Sequence, residues 1–268
     1  GGGIYGLYST AAAGSAWAGY LVVHEFGHHF AALADEYYTS EAVYEAEGQR
    51  TEPWEPNVTA LHDPSQLKWG ARVAESTPLP TPWPKQAFET FQRSNQAERA
   101  QLRAAQRPEA EMDALFRNEQ AFVEQLFSAH PETNSVIGAF EGANYAASGY
   151  YRSEMNCTMF TRHDRFCRVC RDAIEDVIDL LGYAEQAVSN DSGLMHVAAA
   201  VGTHVHGIYG SSSPQFTPPL AKRRDIHWLH LECSPCFERT CPLGHLRCLK
   251  DLSVARLHEA IGSAHQRQ

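Results

Sequence analysis

The sequence predicts a mixed fold of helices and strands in two parts, and three observations support it. Residues 16–34 carry apolar side chains at helical spacing. Residues 86–128 are rich in Gln, Glu, Arg and Ala, and Pro108 divides them into two polar helices. Beyond residue 185, segments typical of strand, turn and helix alternate. We therefore expect a helix-rich first part and a second part in which strands and helices alternate.

Each element of the first part has its own signal. Residues 4–8 read as a short edge strand punctuated by glycine, and the helix of 16–34 has Ser15 as its predicted N-cap. The proline-rich residues 51–84 predict a loop-rich connection, and the polar helices of 86–128 predict a solvated helical insertion. The apolar positions of the first helix are Leu21, Val22, Phe26, Phe30 and Leu33.

A further amphipathic helix is predicted at residues 173–181, and the second part follows it. Residues 187–190 predict a strand that enters a glycine-containing turn. Residues 195–200 then predict a helix, and residues 204–209 predict a second strand.

Charge and hydropathy exclude some classes of partner. The 268-residue chain has 32 Asp and Glu and 22 Lys and Arg, of which 7 and 8 lie in residues 185–268. The first part is therefore strongly acidic, which argues against nucleic acid as a partner. We expect no transmembrane segment, because no stretch approaches the roughly 18 apolar residues that one needs. The chain begins at Gly1 without a signal segment, so we expect its native start to be missing, and the localisation stays open.

The first predicted helix carries a metal-binding pattern. Residues 24–28 read His-Glu-Phe-Gly-His, and residues four apart share one face of a helix. His24 and His28 can therefore ligate one Zn²⁺, while Glu25 can act as general base towards a metal-bound water that hydrolyses a peptide bond. Two histidines on a helix can also be merely packed or solvated. The apolar helix around the motif favours the catalytic interpretation.

Through this motif and others in residues 1–180, the chain resembles the IgA-peptidase family of zinc metallopeptidases, which is related to the metzincins. The resemblance implies an α+β zincin-like fold over residues 1–180, with the helical insertion at about 86–128. It also implies endopeptidase activity on a protein or peptide substrate. The stretches that carry it are residues 6–10, 24–38, 52–59, 80–84, 138–145, 149–152, 157–159 and 166–179.

The third metal ligand is left open between two neighbours. Metzincins have a histidine six residues after the second ligand, and here that position is Ala34. The resemblance favours Asp35, and a carboxylate oxygen is an acceptable zinc ligand. Glu36 is the main rival, and Asp35 could instead cap the helix or pair with a basic neighbour.

Three residues further along the chain are candidates to shape the site. The resemblance implies that Met159 is the Met-turn beneath the metal, whereas a buried methionine is otherwise ordinary core. Tyr150 or Tyr151 could donate a hydroxyl to the oxyanion of the reaction, or could be structural.

The second part resembles the ADP-heptose:lipopolysaccharide heptosyltransferases. The resemblance lies in residues 189–200, 209–220 and 233–245, and implies a partial α/β Rossmann-like segment of glycosyltransferase type B over residues 181–268. A helix N-terminus there could bind the diphosphate of an ADP-sugar weakly. An ordinary strand–turn–helix is the alternative. The residues that could bind the nucleotide sugar are Asp191, Ser192, Gly193 and His196.

The seven cysteines do not form the framework of a secreted disulfide protein, because their number is odd and they fall late in the chain. Cys167 and Cys170 show no evident third and fourth metal ligand. Cys233, Cys236, Cys241 and Cys248 could hold zinc, although their spacing is irregular and favours free or packed thiols.

Two functional hypotheses follow. In the first, a zinc endopeptidase domain carries a non-catalytic C-terminal fragment, and the chain is a chimera joined within residues 173–187. In the second, the chain is a heptosyltransferase fragment that binds a sugar nucleotide. The first is favoured, because no segment resembles the acceptor domain of a heptosyltransferase.

Overall fold

A computed structural model describes residues 2–4, 8–10, 15–38 and 50–265. The chain divides into two compact units, Gly1–Ile174 and Glu175–Gln268. No helix in the described ranges is long and apolar enough to cross a membrane. The helices are α1 (Ala18–Ala31), α2 (Lys85–Ala104), α3 (Glu109–Ser128), α4 (Arg168–Tyr183), α5 (Gly193–Ala200), α6 (Arg247–Lys250) and α7 (Val254–His265). The strands are β1 (Gly2–Ile4), β2 (Tyr8–Thr10), β3 (Val58–Thr59), β4 (Phe140–Ala143), β5 (Ala146–Arg152), β6 (Gln186–Asn190), β7 (His204–Ile208) and β8 (Arg224–His227).

Helix α1 is shorter at both ends than the sequence predicts. Its N-cap is Trp17, whose backbone N–H donates to the hydroxyl of Ser15 at 3.1 Å, so the prediction of Ser15 as N-cap was wrong by two residues. The helix ends because Ala32 adopts a left-handed conformation with φ of 53°. The N–H of Ala32 then donates to the Gly27 carbonyl, which closes the last turn.

The buried face of α1 differs from the predicted apolar face. Phe30 and Leu33 are buried as expected, but Val22 is 58% exposed and Phe26 is 42% exposed. The buried residues within the helix are His24, Glu25, Gly27, Phe30 and Ala31. A glycine and two polar residues therefore face inward, and apolar spacing alone gave the wrong orientation for Val22 and Phe26.

Two short strands precede α1 where one was predicted. Strand β1 pairs antiparallel with β2, and Ile4 and Tyr8 are partners in that register. Residues that face each other across a strand pair cannot lie along one extended strand, so the prediction of a single strand over 4–8 was wrong. Residues 5–7 lie outside the described part of the chain. Both strands contact α1.

The first unit contains a three-stranded antiparallel sheet in the order β3-β5-β4. Strands β4 and β5 are joined by a two-residue turn, because Ala143 faces Ala146 in the register. The turn residues Asn144 and Tyr145 have φ of 51° and 62°. Positive φ at both positions is typical of the type I′ turn of tight hairpins, in which asparagine is favoured. A Tyr in this conformation is unusual.

Two helices occupy the region predicted as a polar hairpin. Helix α2 ends before Pro108 and α3 begins after it, and the stacked rings of Phe91 and Phe122, 3.8 Å apart, join the two helices. Phe88 and Phe127 are buried and pack near Trp83. The hairpin is therefore anchored in the core at one end while its other faces are polar. The connection over residues 51–84 is loop-rich as predicted, with only β3 and two 3-10 turns at Pro64–Gln66 and Gly70–Arg72.

The second unit contains a three-stranded parallel sheet in the order β6-β7-β8. Strand β6, helix α5 and strand β7 lie where the sequence predicts them, whereas β8 was not predicted. The core of this sheet is small and includes Met195, Val205 and Tyr209. Large apolar side chains of the same unit stay exposed, among them Val188 on β6. The strands β6 and β8 are both edges of the sheet.

Candidate metal centre

Helix α1 brings two imidazoles together at one point. His24 and His28 are one turn apart, and their Nε2 atoms are 3.2 Å from each other. The carboxylate of Asp35 completes the group, because its Oδ1 lies 3.0 Å from Nε2 of His24 and 3.1 Å from Nε2 of His28. Asp35 is buried. Three potential ligand atoms therefore surround a single position.

The tautomers of both histidines are fixed by backbone carbonyls. Nδ1 of His24 lies 3.0 Å from the carbonyl of Thr158, and Nδ1 of His28 lies 2.6 Å from the carbonyl of Leu33. Since a carbonyl can only accept, each Nδ1 donates, and in the neutral rings each Nε2 carries a free lone pair. Two nitrogen lone pairs and a carboxylate oxygen then face one another. These three atoms form a group that could hold a metal ion.

Asp35 reaches the site because distant residues fix the irregular chain segment that follows α1. The side chain of Asn57 accepts from the N–H of Ala34 at 2.8 Å and donates to the carbonyl of Ala34 at 3.0 Å. The N–H of Asn144, in the β4–β5 turn, donates to the carbonyl of Asp35 at 2.9 Å. The N–H of Tyr145 donates to the carbonyl of Tyr37 at 3.0 Å. The turn and Asn57 thus determine where the carboxylate points.

The second oxygen of Asp35 also has a partner, since the hydroxyl of Tyr145 donates to its Oδ2. Burial acts to raise the pKa of Asp35, but the adjacent imidazoles of His24 and His28 outweigh it and hold that pKa below its usual range. Burial, together with the charge of Asp35, raises the pKa of Tyr145 well above its usual value. Asp35 is therefore ionised at neutral pH and Tyr145 remains a hydrogen-bond donor.

Two tyrosines that the sequence analysis did not single out, Tyr145 and Tyr37, contact the metal-ligand group. Besides Tyr145, the ring of Tyr37 stacks on His24, and burial followed by the charge of Asp35 raises the pKa of Tyr37 to about 12. Tyr150 instead donates its hydroxyl to the carbonyl of Thr51. The contribution of Tyr145 was missed, because its hydroxyl meets a residue 110 positions away in the sequence.

Glu25 is buried on α1 beside the first histidine. Burial acts to lower the pKa of His28, but the hydrogen bond and charge of Asp35, the Leu33 carbonyl and the charge of Glu25 raise it above the usual value. The carboxylate of Glu25 is thus close enough to act electrostatically on the same group of atoms.

Met159 lies directly beneath α1. A Cβ atom added at Gly27 would lie only 2.9 Å from the sulfur of Met159, so the helix approaches this side chain closely at a position that has no side chain of its own. Met159 is fully buried, and its carbonyl accepts from the N–H of Glu36 at 2.9 Å. The preceding residue, Thr158, provides the carbonyl that orients His24. The segment containing Met159 therefore packs against α1 and contacts His24.

Glu36 points away from the histidines. Its Oε1 accepts from Nδ2 of Asn57 at 2.9 Å and lies 3.4 Å from the sulfur of Cys170. Glu36, Cys157, Cys167 and Cys170 form a separate buried group, whose ligand atoms all lie within 4.8 Å of one another. The adjacent carboxylates of Asp35 and Glu36 thus belong to two different clusters.

The four predicted nucleotide-sugar residues lie around the N-terminus of α5. Ser192 is the N-cap residue, and Gly193, the first helical residue, is open to solvent with no atom within 4 Å of an added Cβ. Asp191 accepts from the hydroxyl of Thr217 at 2.7 Å, and one of its oxygens lies 4.0 Å from Nε2 of His196. These residues are brought together, but mostly at the surface.

Two other groups of potential ligands occur in the second unit. Cys233, Cys236, Cys241 and Cys248 are half-buried and free, and they are not among the tight groups of ligand atoms found in the described residues. The other group contains two histidines and an aspartate on adjacent strands, which the sequence analysis did not single out. Its members are His204, His206 and Asp225.

Comparison with protein families divides the chain in a similar way. The model of the family described as IgA Peptidase M64 matches residues 1–178, which is more than half of the chain. The model of glycosyltransferase family 9 (heptosyltransferase) matches residues 163–247. The two matches overlap over residues 163–178, which belong mostly to α4. Both are families of enzymes.

The chain is also similar to individual heptosyltransferases over part of its length. Lipooligosaccharide heptosyltransferase 2 of Haemophilus influenzae is 45% identical over 53 residues, 20% of this chain and 15% of that protein. Lipopolysaccharide heptosyltransferase 2 of Escherichia coli is 29% identical over 113 residues, 41% of this chain and 32% of that protein. The protein of the same name from Salmonella typhimurium is 34% identical over 90 residues, 34% of this chain and 26% of that protein. The chain thus spans at most about a third of these relatives.

Proposed function

Because the chain belongs to the IgA peptidase M64 family, we propose that it is a zinc-dependent endopeptidase whose metal is held by His24, His28 and Asp35. A single observation carries the proposal: two imidazole lone pairs and an ionised carboxylate oxygen face one another at 3.0–3.2 Å. Acceptor atoms without a proton between them repel one another, so a bound cation is needed to stabilise the arrangement.

Zinc fits this set of donors better than a hard cation does. Imidazole nitrogen and carboxylate oxygen are common zinc ligands, whereas Mg²⁺ and Ca²⁺ prefer oxygen alone. Tetrahedral coordination with bonds of about 2.0–2.1 Å separates neighbouring ligands by about 3.3 Å, close to the spacing found here. Three protein ligands leave a fourth position, as in catalytic rather than structural zinc sites. The zinc ion supplies Lewis acidity, which lowers the pKa of a water molecule and polarises a carbonyl group.

Glu25 is the proposed general base. It adjoins the first histidine and is buried, so its carboxylate works in an environment of low dielectric constant. Glu25 accepts a proton from the attacking water and then passes it to the nitrogen of the leaving amine. Asp35 is ionised, its Oδ1 faces the two histidines and its Oδ2 accepts from the hydroxyl of Tyr145, so it is poorly placed for this proton transfer.

Two further residues position the site. Tyr145 donates to the outer oxygen of Asp35 and so orients the carboxylate towards the histidines. Met159 supports α1 from below, in the role of the Met-turn in a zincin-like fold. Neither residue contacts the reacting atoms in this proposal.

The substrate is proposed to be an extended protein or peptide segment. An extended chain can add to an exposed strand edge through main-chain hydrogen bonds, which gives affinity with little selectivity for side chains. The two-stranded sheet of β1 and β2 contacts α1 and offers such edges.

The second unit is proposed to be a non-catalytic, Rossmann-like fragment, with the domains divided at about residues 180 and 181. Asp191, Ser192, Gly193 and His196 could bind the diphosphate of an ADP-sugar weakly through the N-terminus of α5. Group transfer also needs an acceptor held in reacting geometry. The match to the glycosyltransferase family begins only at residue 163, and the preceding residues match the peptidase family.

The proposal is tested by removing and restoring the metal. Treatment with a strong chelator should abolish hydrolysis of a denatured protein substrate, and stoichiometric zinc should restore it. A His28→Ala variant should show neither hydrolysis nor restoration at the same zinc concentration. Full hydrolysis by the chelator-treated, metal-free protein would contradict the proposal.

A further inference from the structure

A second cluster of metal-ligating side chains lies in the core of the first unit. Cys157, Cys167, Cys170 and Glu36 are each fully or almost fully buried, and their ligand atoms lie within 4.8 Å of one another. The sequence analysis assigned no metal to the two cysteines of the Cys-x2-Cys pair, because it found no third and fourth ligand. The fold supplies them from two distant segments.

The spacing within the cluster matches the requirements of a tetrahedral ion. The sulfur atoms of Cys157 and Cys170 are 3.7 Å apart, and the sulfur of Cys170 is 3.4 Å from Oε1 of Glu36. Zinc bonds of about 2.3 Å to sulfur and about 2.0 Å to oxygen give tetrahedral separations of about 3.8 Å between sulfurs and about 3.5 Å between sulfur and oxygen. A disulfide would need the two sulfurs at about 2.05 Å.

Backbone donors point at the sulfur atoms, as expected for thiolates. The sulfur of Cys157 accepts from the N–H groups of Met159 at 3.5 Å and Cys167 at 3.2 Å. The sulfur of Cys167 accepts from the N–H of Cys170 at 3.4 Å, and the hydroxyl of Ser153 lies 3.3 Å from it. A neutral thiol is only a weak acceptor, whereas a thiolate forms stronger, charge-assisted hydrogen bonds.

Glu36 provides an independent indication of a ligand. Its side chain is 0% exposed, and its Oε2 atom has no hydrogen-bond partner among the described residues. A buried carboxylate oxygen without a partner is costly, by roughly 1–3 kcal/mol or more. Coordination of a cation would satisfy it.

We propose that Glu36, Cys157, Cys167 and Cys170 bind a second, structural Zn²⁺. Four protein ligands close the site, which leaves no position for water and therefore no catalytic role. The three thiols lose their protons to solvent when the ion binds, and no electron is transferred.

Such an ion would stabilise the segments that carry the residues of the catalytic site. Glu36 follows Asp35, and Cys157 precedes the carbonyl of Thr158 that orients His24 and the side chain of Met159. One ion would thus join the segment of the third catalytic ligand, the segment containing Met159 and the first turn of α4.

The experiment measures the metal content and the zinc X-ray absorption spectrum of the full chain. The parent protein is compared with a variant that lacks the two histidine ligands of the proposed catalytic zinc. The parent protein should contain about two zinc ions per chain, and a His24→Ala/His28→Ala variant should keep about one. The retained zinc should show a shell dominated by sulfur at about 2.3 Å. Because this variant keeps every cysteine, the measurement does not depend on substituting the core, and it is informative even if the protein proves not to be a peptidase.

Two variants in the same background locate the retained ion. Cys167→Ser/Cys170→Ser should lose it. The matched control, with Cys233, Cys236, Cys241 and Cys248 all changed to Ser, should keep it. The proposal is overturned if the folded His24→Ala/His28→Ala protein contains no zinc, if its zinc has no sulfur ligands, or if the control loses the ion.

Discussion

The polar clusters of the two units differ in the contacts that orient their side chains. At the metal-ligand group, distant residues orient two of the three side chains: the carbonyl of Thr158 contacts His24, and the hydroxyl of Tyr145 contacts Asp35. At the start of α5, by contrast, the contacts are local or exposed, as in the pair of hydroxyls of Ser189 and Ser192 at 3.0 Å. Contacts between distant segments therefore fix the side chains of the first cluster, whereas those of the second cluster have local or exposed contacts.

This difference indicates which cluster can support catalysis. Preorganised groups in a buried site keep their orientation during a reaction, and their electrostatic interactions are strong because water is excluded. The α5 turn lies on a sheet with two open edges and with apolar side chains such as Val188 exposed.

The largest expected effect separates two neighbouring carboxylates. Asp35→Ala should lower the affinity for the zinc that supports hydrolysis by more than ~100-fold, beyond the effect typical of residues that only orient a ligand. Glu36→Ala should lower it less, because its side chain points to the cysteine cluster. The measurement is hydrolysis as a function of free zinc concentration. If the two substitutions exchange their effects, the third ligand is Glu36.

A smaller effect is expected for the residue that orients Asp35. Tyr145→Phe removes the hydroxyl that donates to Oδ2 and should weaken zinc binding by roughly 10–100-fold. Tyr150→Phe is the matched control, since its hydroxyl contacts the carbonyl of Thr51 instead. Equal affinities for Tyr145→Phe and the parent protein would show that Asp35 needs no such support.

The packing of α1 on Met159 can be tested with two glycines of the same helix. Gly27→Ala places a Cβ 2.9 Å from the sulfur of Met159 and should lower the free energy of unfolding by about 1–3 kcal/mol. Gly19→Ala, with no atom within 4 Å, should stabilise the protein by up to about 1 kcal/mol. Urea denaturation of the two variants measures both. Stabilisation by both substitutions would mean that Met159 does not limit the approach of α1.

The smallest effect is expected in the second unit. Asp191→Ala should leave peptide hydrolysis unchanged, and neither this variant nor the parent protein should release ADP from ADP-heptose with a lipopolysaccharide-core acceptor. Positioning of both substrates can contribute several kcal/mol to such a transfer, and the second unit is proposed to offer at most a donor site. Heptose transfer that is lost in Asp191→Ala but persists in Glu25→Gln would reverse the proposed roles of the two units.

The sequence predicted those features that depend on short-range patterns. The spacing of His24 and His28 places both on one helix face, and Pro108 correctly divides α2 from α3. The strand, turn and helix around Asp191 also lie where their local pattern predicts.

Features that depend on contacts between distant segments were not predicted. The end of α1 is set by Ala32 in a left-handed conformation, which is uncommon for alanine. Glu36 and Cys157 join Cys167 and Cys170 only in the folded chain. Asn144 at a two-residue turn was a usable hairpin signal, but nothing local shows that the next residue, Tyr145, contacts Asp35.

Hydrolysis by Glu25→Gln, measured at equal zinc content beside the parent protein, tests the assignment of a zinc peptidase most directly. The amide keeps the size of the side chain and leaves His24, His28 and Asp35 intact, so zinc should be retained. Loss of the proton acceptor should reduce peptide hydrolysis by a factor of about 10²–10⁴. Undiminished hydrolysis by the zinc-loaded Glu25→Gln protein, under conditions in which the parent is active, would contradict the assignment.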